Sequence, residues 1–74
     1  MTDREFIDSI NVDALQKDVC RLAAVQHPGA TVTVDPHFNT DGEGNAFAEY
    51  DVNGVFKGHA YICRNGDVTL CELA

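Results

Sequence analysis

Between Arg21 and Lys57 the chain has no lysine and no arginine, yet Asp35, Asp41, Glu43, Glu49 and Asp51 all fall in that interval. Basic residues are scarce throughout: five Lys+Arg against 12 Asp+Glu leave a net charge of −7 over 74 residues. Residues 1–28 hold five acids against three bases, a balance of −2, and residues 29–74 hold seven against two, a balance of −5. Direct binding of nucleic acid or of an anionic membrane is disfavoured by that charge. Long apolar runs are also missing, since none approaches the roughly 20 residues of a membrane-spanning helix. The opening Met1-Thr2-Asp3-Arg4-Glu5 does not read as a signal peptide, so a cytoplasmic protein is expected. Three cysteines, an odd number, fit reduced thiols better than a disulfide framework. With no repeat, linker or low-complexity segment, residues 1–74 read as one domain. It lies near the size at which one core yields only a few kcal/mol of net stability.

Motifs that carry chemistry are lacking too. There is no C-x-x-C and no H-x3-5-H pair, and His59 and Cys63, four residues apart on a strand, would stand about 13 Å apart, too far to share one ion. The stretch Asn39–Asn45 echoes a calcium loop, but its twelfth position is Tyr50 where a bidentate glutamate is needed. No Ser–His–Asp set, phosphate-binding glycine loop or paired-carboxylate signature occurs. No enzymatic activity, cofactor or metal is expected.

What is present is a strong pattern of local structure. Thr2-Asp3-Arg4-Glu5 has the form of a capping box, which starts a helix at Asp3. Phe6, Ile7 and Ile10 form one apolar set, and Val12, Leu15, Val19, Leu22 and Ala23 form another. At about 100° per residue the two sets lie on opposite sides of a continuous helix. A break at Ser9–Asn11, with Asn11 as a new N-cap, resolves the conflict. The second helix is expected to end near Gln26, before His27-Pro28-Gly29. Residues 30–35 alternate as a half-buried strand closed by Pro36, and residues 37–45 read as a polar loop. Asn53-Gly54 and Asn65-Gly66 then divide residues 46–52, 55–63 and 67–73 into three hairpin-linked strands. The fold expected is α+β: a broken N-terminal helix packed on a four-stranded antiparallel meander, in the order α-β-β-β-β.

Register decides which side chains meet the helix. Phe56, Gly58, Ala60 and Ile62 form a face without polar side chains. A two-residue turn at Asn65-Gly66 would pair Ile62 with Thr69, Ala60 with Cys71 and His59 with Glu72. It would also turn Cys63 and Cys71 to opposite faces and leave Cys20 and Cys71 buried. At Asn53-Gly54 a strict two-residue turn would bury Glu49 and Asp51, so a shift of one residue, by a bulge or a longer loop, is expected. The outer face then reads Phe47, Glu49, Asp51, Val55, Lys57, His59, Tyr61, Cys63, Val68, Leu70 and Glu72. Apolar residues at its centre suggest an interface, although strand propensity alone would also place them there.

Glu49 and Asp51, two residues apart on one strand, set carboxylates about 6.6 Å apart, of the order of the interval between phosphates along a nucleic-acid strand. With Asp35, Asp41 and Glu43 nearby they could act as a nucleic-acid mimic in a basic groove; the plainer alternative is a solvated acidic surface. In size, charge and layout the chain is similar in general character to phage-encoded inhibitors of host machinery such as anti-CRISPR proteins. No residue motif carries that likeness, so it implies no functional residue. The function expected is a non-enzymatic protein-interaction module, an inhibitor or adaptor on a partner's basic surface. Its contacts are expected at Asp35, Asp41, Glu43, Glu49, Asp51, His59, Tyr61, Val68, Leu70 and Glu72, and the same face could form a homodimer. The alternative is a homo-oligomeric small-molecule or metal-binding domain built around His59, Tyr61 and Glu72.

Overall fold

The computed structural model describes residues 2–73. Thr2 opens the chain as an N-cap: its hydroxyl oxygen accepts the Glu5 N–H at 3.2 Å, while the Glu5 carboxylate accepts the Thr2 N–H at 3.2 Å. This reciprocal capping starts α1, Asp3–Ser9, which stops where Ile10 becomes extended. Asn11 caps α2, Val12–Ala23, by accepting the Ala14 N–H at 3.1 Å. The break lets both apolar sets reach one core: Phe6 from α1 and Leu15, Val19 and Ala23 from α2 are buried. The second stripe is narrower than its sequence implied, because Val12 is exposed and Leu22 only half-buried. Helix α2 also ends at Ala23, short of Gln26, with the His27 N–H returning to the Ala23 carbonyl at 2.8 Å. No helix among the described residues is long and apolar enough to cross a membrane.

Beneath the helices lies an antiparallel sheet of five strands, one more than the meander requires: β1 Val32–Val34, β2 Asn39–Thr40, β3 Ala46–Val52, β4 Val55–Ile62 and β5 Val68–Glu72. Their order is β1-β3-β4-β5, and β2, drawn from the polar loop, pairs with the start of β3. The β3–β4 turn has φ of 53° at Asn53 and 82° at Gly54, the left-handed pair that a type I′ turn demands. The expected one-residue shift follows it as a bulge. Asp51 pairs with Phe56 but Tyr50 with Gly58, leaving Lys57 as the extra residue. Ala46, Ala48 and Tyr50 are thereby buried under α2 with Ala60 and Ile62.

Two side-chain assignments fail at the bulge. Phe56, expected in the core, follows Asp51 to the outer face and is 42% exposed. Val55, expected outside, pairs with Val52 on the helix side, beyond helical cover, and is 67% exposed.

The second hairpin corrects the register of β5. Cys63 and Asp67 close it, with the Cys63 N–H on the Asp67 carbonyl at 2.9 Å, so the loop is Arg64-Asn65-Gly66. Gly66 alone takes positive φ, at 95°, and the Asn65 Oδ1 accepts the Asp67 N–H at 3.0 Å. This three-residue loop with a left-handed glycine moves every pair by one: Ile62 faces Val68, Ala60 faces Leu70 and Gly58 faces Glu72. Val68, Leu70 and Glu72 therefore belong to the helix side, not the outer face, and His59 pairs with Cys71 instead of Glu72. Cys71 is exposed, and it shares the outer side with Cys63 about 13 Å along the strands.

The two free edges of the sheet are treated differently. Along β1 the Gln16 amide of α2 donates to the Val32 carbonyl at 2.5 Å and accepts the Val34 N–H at 2.8 Å. It thus occupies the positions that a neighbouring strand would take. Gln16→Ala should cost about 1–2 kcal/mol in denaturant unfolding, since water can replace part of what is lost. Gln16→Glu should recover only the acceptor half.

Candidate functional site

The sheet has one face under the helices and one face that no helix covers. Across β3 and β4 the uncovered face is aromatic. Phe47 stands opposite Tyr61, with ring centroids 5.4 Å apart, and Phe47 meets the His59 ring edge-on at 5.6 Å. Phe56 meets His59 from the other side at 5.6 Å, so four rings form one chain along the face. The edge-to-face contacts of His59 with Phe47 and Phe56 suit the aromatic quadrupole, whose positive edge meets a negative face, while the Phe47–Tyr61 pair is tilted. Sequence reasoning placed Phe47 on this face but not among the contact residues. It missed Phe56 because the bulge that turns it outward changes the strand's alternation midway.

Beside the rings runs a row of carboxylates. Asp51 pairs with Thr33, and the Asp35 N–H bonds to the Glu49 carbonyl at 2.9 Å, which sets Asp35, Glu49 and Asp51 on the same face. Glu49 also lies directly across from His59. The Asp35 carboxylate accepts the His37 backbone N–H at 3.1 Å and lies 2.6 Å from its ring nitrogen; these hydrogen bonds hold its pKa below the usual 3.8.

Other expected contact residues stand elsewhere. Asp41 and Glu43 lie in the loop beyond β2, at the far end of β3 from Asp51. Asp41 is engaged locally, accepting the Glu43 N–H at 2.8 Å and the Asn45 N–H at 3.2 Å, which lowers its pKa below 3.8. Protonating Asp35 or Asp41 breaks those bonds. Their stabilising contribution is present above the unfolded pKa and is lost as pH falls through the lower folded value. Carboxyl titration by NMR should therefore give midpoints below 3.8 for both residues.

Val68, Leu70 and Glu72 line the opposite side of the sheet. There Glu72 meets His27, with 2.5 Å between Oε1 and Nε2. Of His59, Tyr61 and Glu72, expected on one face, the first two stay together on the uncovered side and Glu72 lies on the other. Among the described residues no group of three or more His, Cys, Asp or Glu side chains could hold a metal ion.

Arg64 braces the far end of this framework. It donates to the Gly44 carbonyl at 2.9 Å, pairs with Asp3 at 2.5 Å and lies 5.1 Å from the centre of the Phe6 ring. One cation thus ties α1, the 41–45 loop and the end of β4 together, away from the carboxylate row. Comparison with protein-family models, curated proteins and solved structures finds no match to this chain.

Proposed function

We propose that the chain is a non-enzymatic interaction module, a small acidic inhibitor or adaptor of the cytoplasm that docks its uncovered sheet face on a basic, nucleic-acid-binding surface of a protein partner. The observation that supports this reading is the juxtaposition on one face of the Asp35, Glu49 and Asp51 carboxylates with the Phe47, Phe56, His59 and Tyr61 rings. Arginine is the natural counterpart. Its guanidinium pairs with carboxylates through a planar fork and stacks on aromatic faces. Carboxylates two residues apart would meet cations that otherwise hold successive phosphates, while the rings supply apolar contact at the centre. Relative to the sequence expectation the contact is smaller and more aromatic, with Asp41 and Glu43 outside it.

The test uses a partner isolated on the tagged chain from its source cell and then purified. Glu49→Gln with Asp51→Asn should weaken binding by roughly 1–3 kcal/mol, mainly through slower association at low salt, with the fold unchanged. Glu43→Gln and Asp18→Asn should change affinity little. Unchanged binding of the Glu49/Asp51 variant at low salt would leave the row as a solvated surface only.

A further inference from the structure

We propose that the outer edge of β5, together with the groove between it and the end of α2, takes up an extended peptide strand, apolar on its groove side and basic at both ends. This site is separate from the uncovered face and does not depend on it.

The bonds that join β5 to β4 fix which of its peptide groups remain free. Cys63 donates to the Asp67 carbonyl and Leu73 to the Lys57 carbonyl, both at 2.9 Å. Residues 67, 69, 71 and 73 therefore turn their backbone groups toward β4, and Val68, Leu70 and Glu72 turn theirs outward. No described residue bonds to the N–H of any of these three. The β1 edge is closed by the Gln16 amide, whereas nothing comparable occupies β5. Of the usual defences of an edge, β5 has no proline, lysine or bulge, and its one charge is Glu72 at its end.

Beside this open ladder is a groove of about 370 Å³, with Leu22 of α2 and Val25 and Gln26 of the turn after it on one wall and Val68, Leu70 and Glu72 on the other. Val25 is 82% exposed on its rim. A strand added antiparallel to β5 would send alternate side chains into this groove while its main chain completes the ladder, the mode of recognition known as strand addition.

Charge selects the occupant. Glu72, whose carboxylate also meets His27, stands at one end of the edge and Asp67 at the other, and no lysine or arginine lines the groove. A second copy pairing antiparallel about Leu70 would bring Glu72 to the Asp67–Val68 end of its mate and add −7 to −7. An incoming strand with a cation opposite each acid meets no such opposition.

The probe is the hexapeptide Lys-Thr-Val-Thr-Val-Lys. In antiparallel register its first lysine faces Glu72, its valines face Leu70 and Val68, and its last lysine faces Asp67. Amide hydrogen exchange of the chain is read with and without it. Exchange at Val68, Leu70 and Glu72 should slow about tenfold when the peptide is at ten times its Kd. Leu70→Pro, which removes an edge N–H not used by β4, should abolish the effect. The same peptide N-methylated at both valines should fail on the unaltered chain, which keeps the test independent of how the variant folds. No slowing, or equal slowing by Glu-Thr-Val-Thr-Val-Glu, overturns the proposal. Concentration-dependent protection of the three amides without any peptide also overturns it, and assigns the edge to a second copy.

Discussion

Tyr50→Ala should cost about 3–5 kcal/mol, against a total stability of about 4–11 kcal/mol for a chain of this length. Tyr50 is fully buried between α2 and the sheet, on the β3 position opposite Gly58. Removing its ring opens a cavity that the small neighbours Ala48 and Ala60 cannot fill. Equilibrium unfolding in urea should show the loss as a lower midpoint with an unchanged slope.

Tyr50→Phe should behave in the opposite sense. The hydroxyl is buried with no hydrogen bond of normal geometry among the described residues, although the Glu72 side chain lies close enough to interact with it, so deleting it should change stability by less than about 1 kcal/mol or raise it. Burial, and then the negative charge of Glu72, push the phenol pKa up to about 12 from 10.0. The folded state therefore holds this proton more tightly than the unfolded state. The associated stability is complete below pH 10 and is lost as pH rises toward 12. Tyr50→Phe should flatten that alkaline decline. A decline of the same steepness in Tyr50→Phe would assign it to other groups.

Gly58→Ala is the second change expected to have a large effect. A Cβ at this position would collide with the Cys71 carbonyl oxygen and stand 2.8 Å from the Glu72 Cα. Both are backbone atoms of β5, so relief requires the strand itself to move. The expected cost is about 1–3 kcal/mol, and the strain should concentrate at the β4–β5 ladder beside the bulge. Amide exchange of Leu73, whose N–H bonds to the Lys57 carbonyl, should accelerate more than that of Ala48 in the β3–β4 ladder. Equal acceleration at the two sites would mean that the residue acts on global stability alone.

Much of this framework is legible in the residues. Thr2 and Glu5 announce the first helix, and the opposed apolar sets require the break that Asn11 caps. The burial of Glu49 and Asp51 under a strict turn demands the bulge, because only a one-residue shift lets the core exclude both carboxylates. The register of β5 is less legible. Asn-Gly serves equally in a two-residue turn with two left-handed residues and in a three-residue loop where only glycine is left-handed. The observed choice goes with the bond from Asp67 to the Asn65 side chain, which the dipeptide alone does not announce. That ambiguity moved Val68, Leu70 and Glu72 across the sheet. Phe56 was hidden for a related reason, since a shift made within the turn would keep the ring in the core, whereas the bulge comes after Phe56, at Lys57, and leaves it opposite Asp51 on the outer face.

The candidate surface was legible in its charge and not in its extent. The carboxylates of Glu49 and Asp51 share a face simply because they are two residues apart. The approach of Asp35 and the departure of Asp41 depend on where β1 and β2 align along β3. The most direct measurement is an amide chemical-shift map of the chain, titrated at low salt with the purified protein that the proposed function requires. Docking through the uncovered face predicts the largest shifts at Phe47, Glu49, Asp51, Phe56, His59 and Tyr61, fading as salt is raised. Shifts confined to α1 and α2, with the β3–β4 face unmoved, would contradict it.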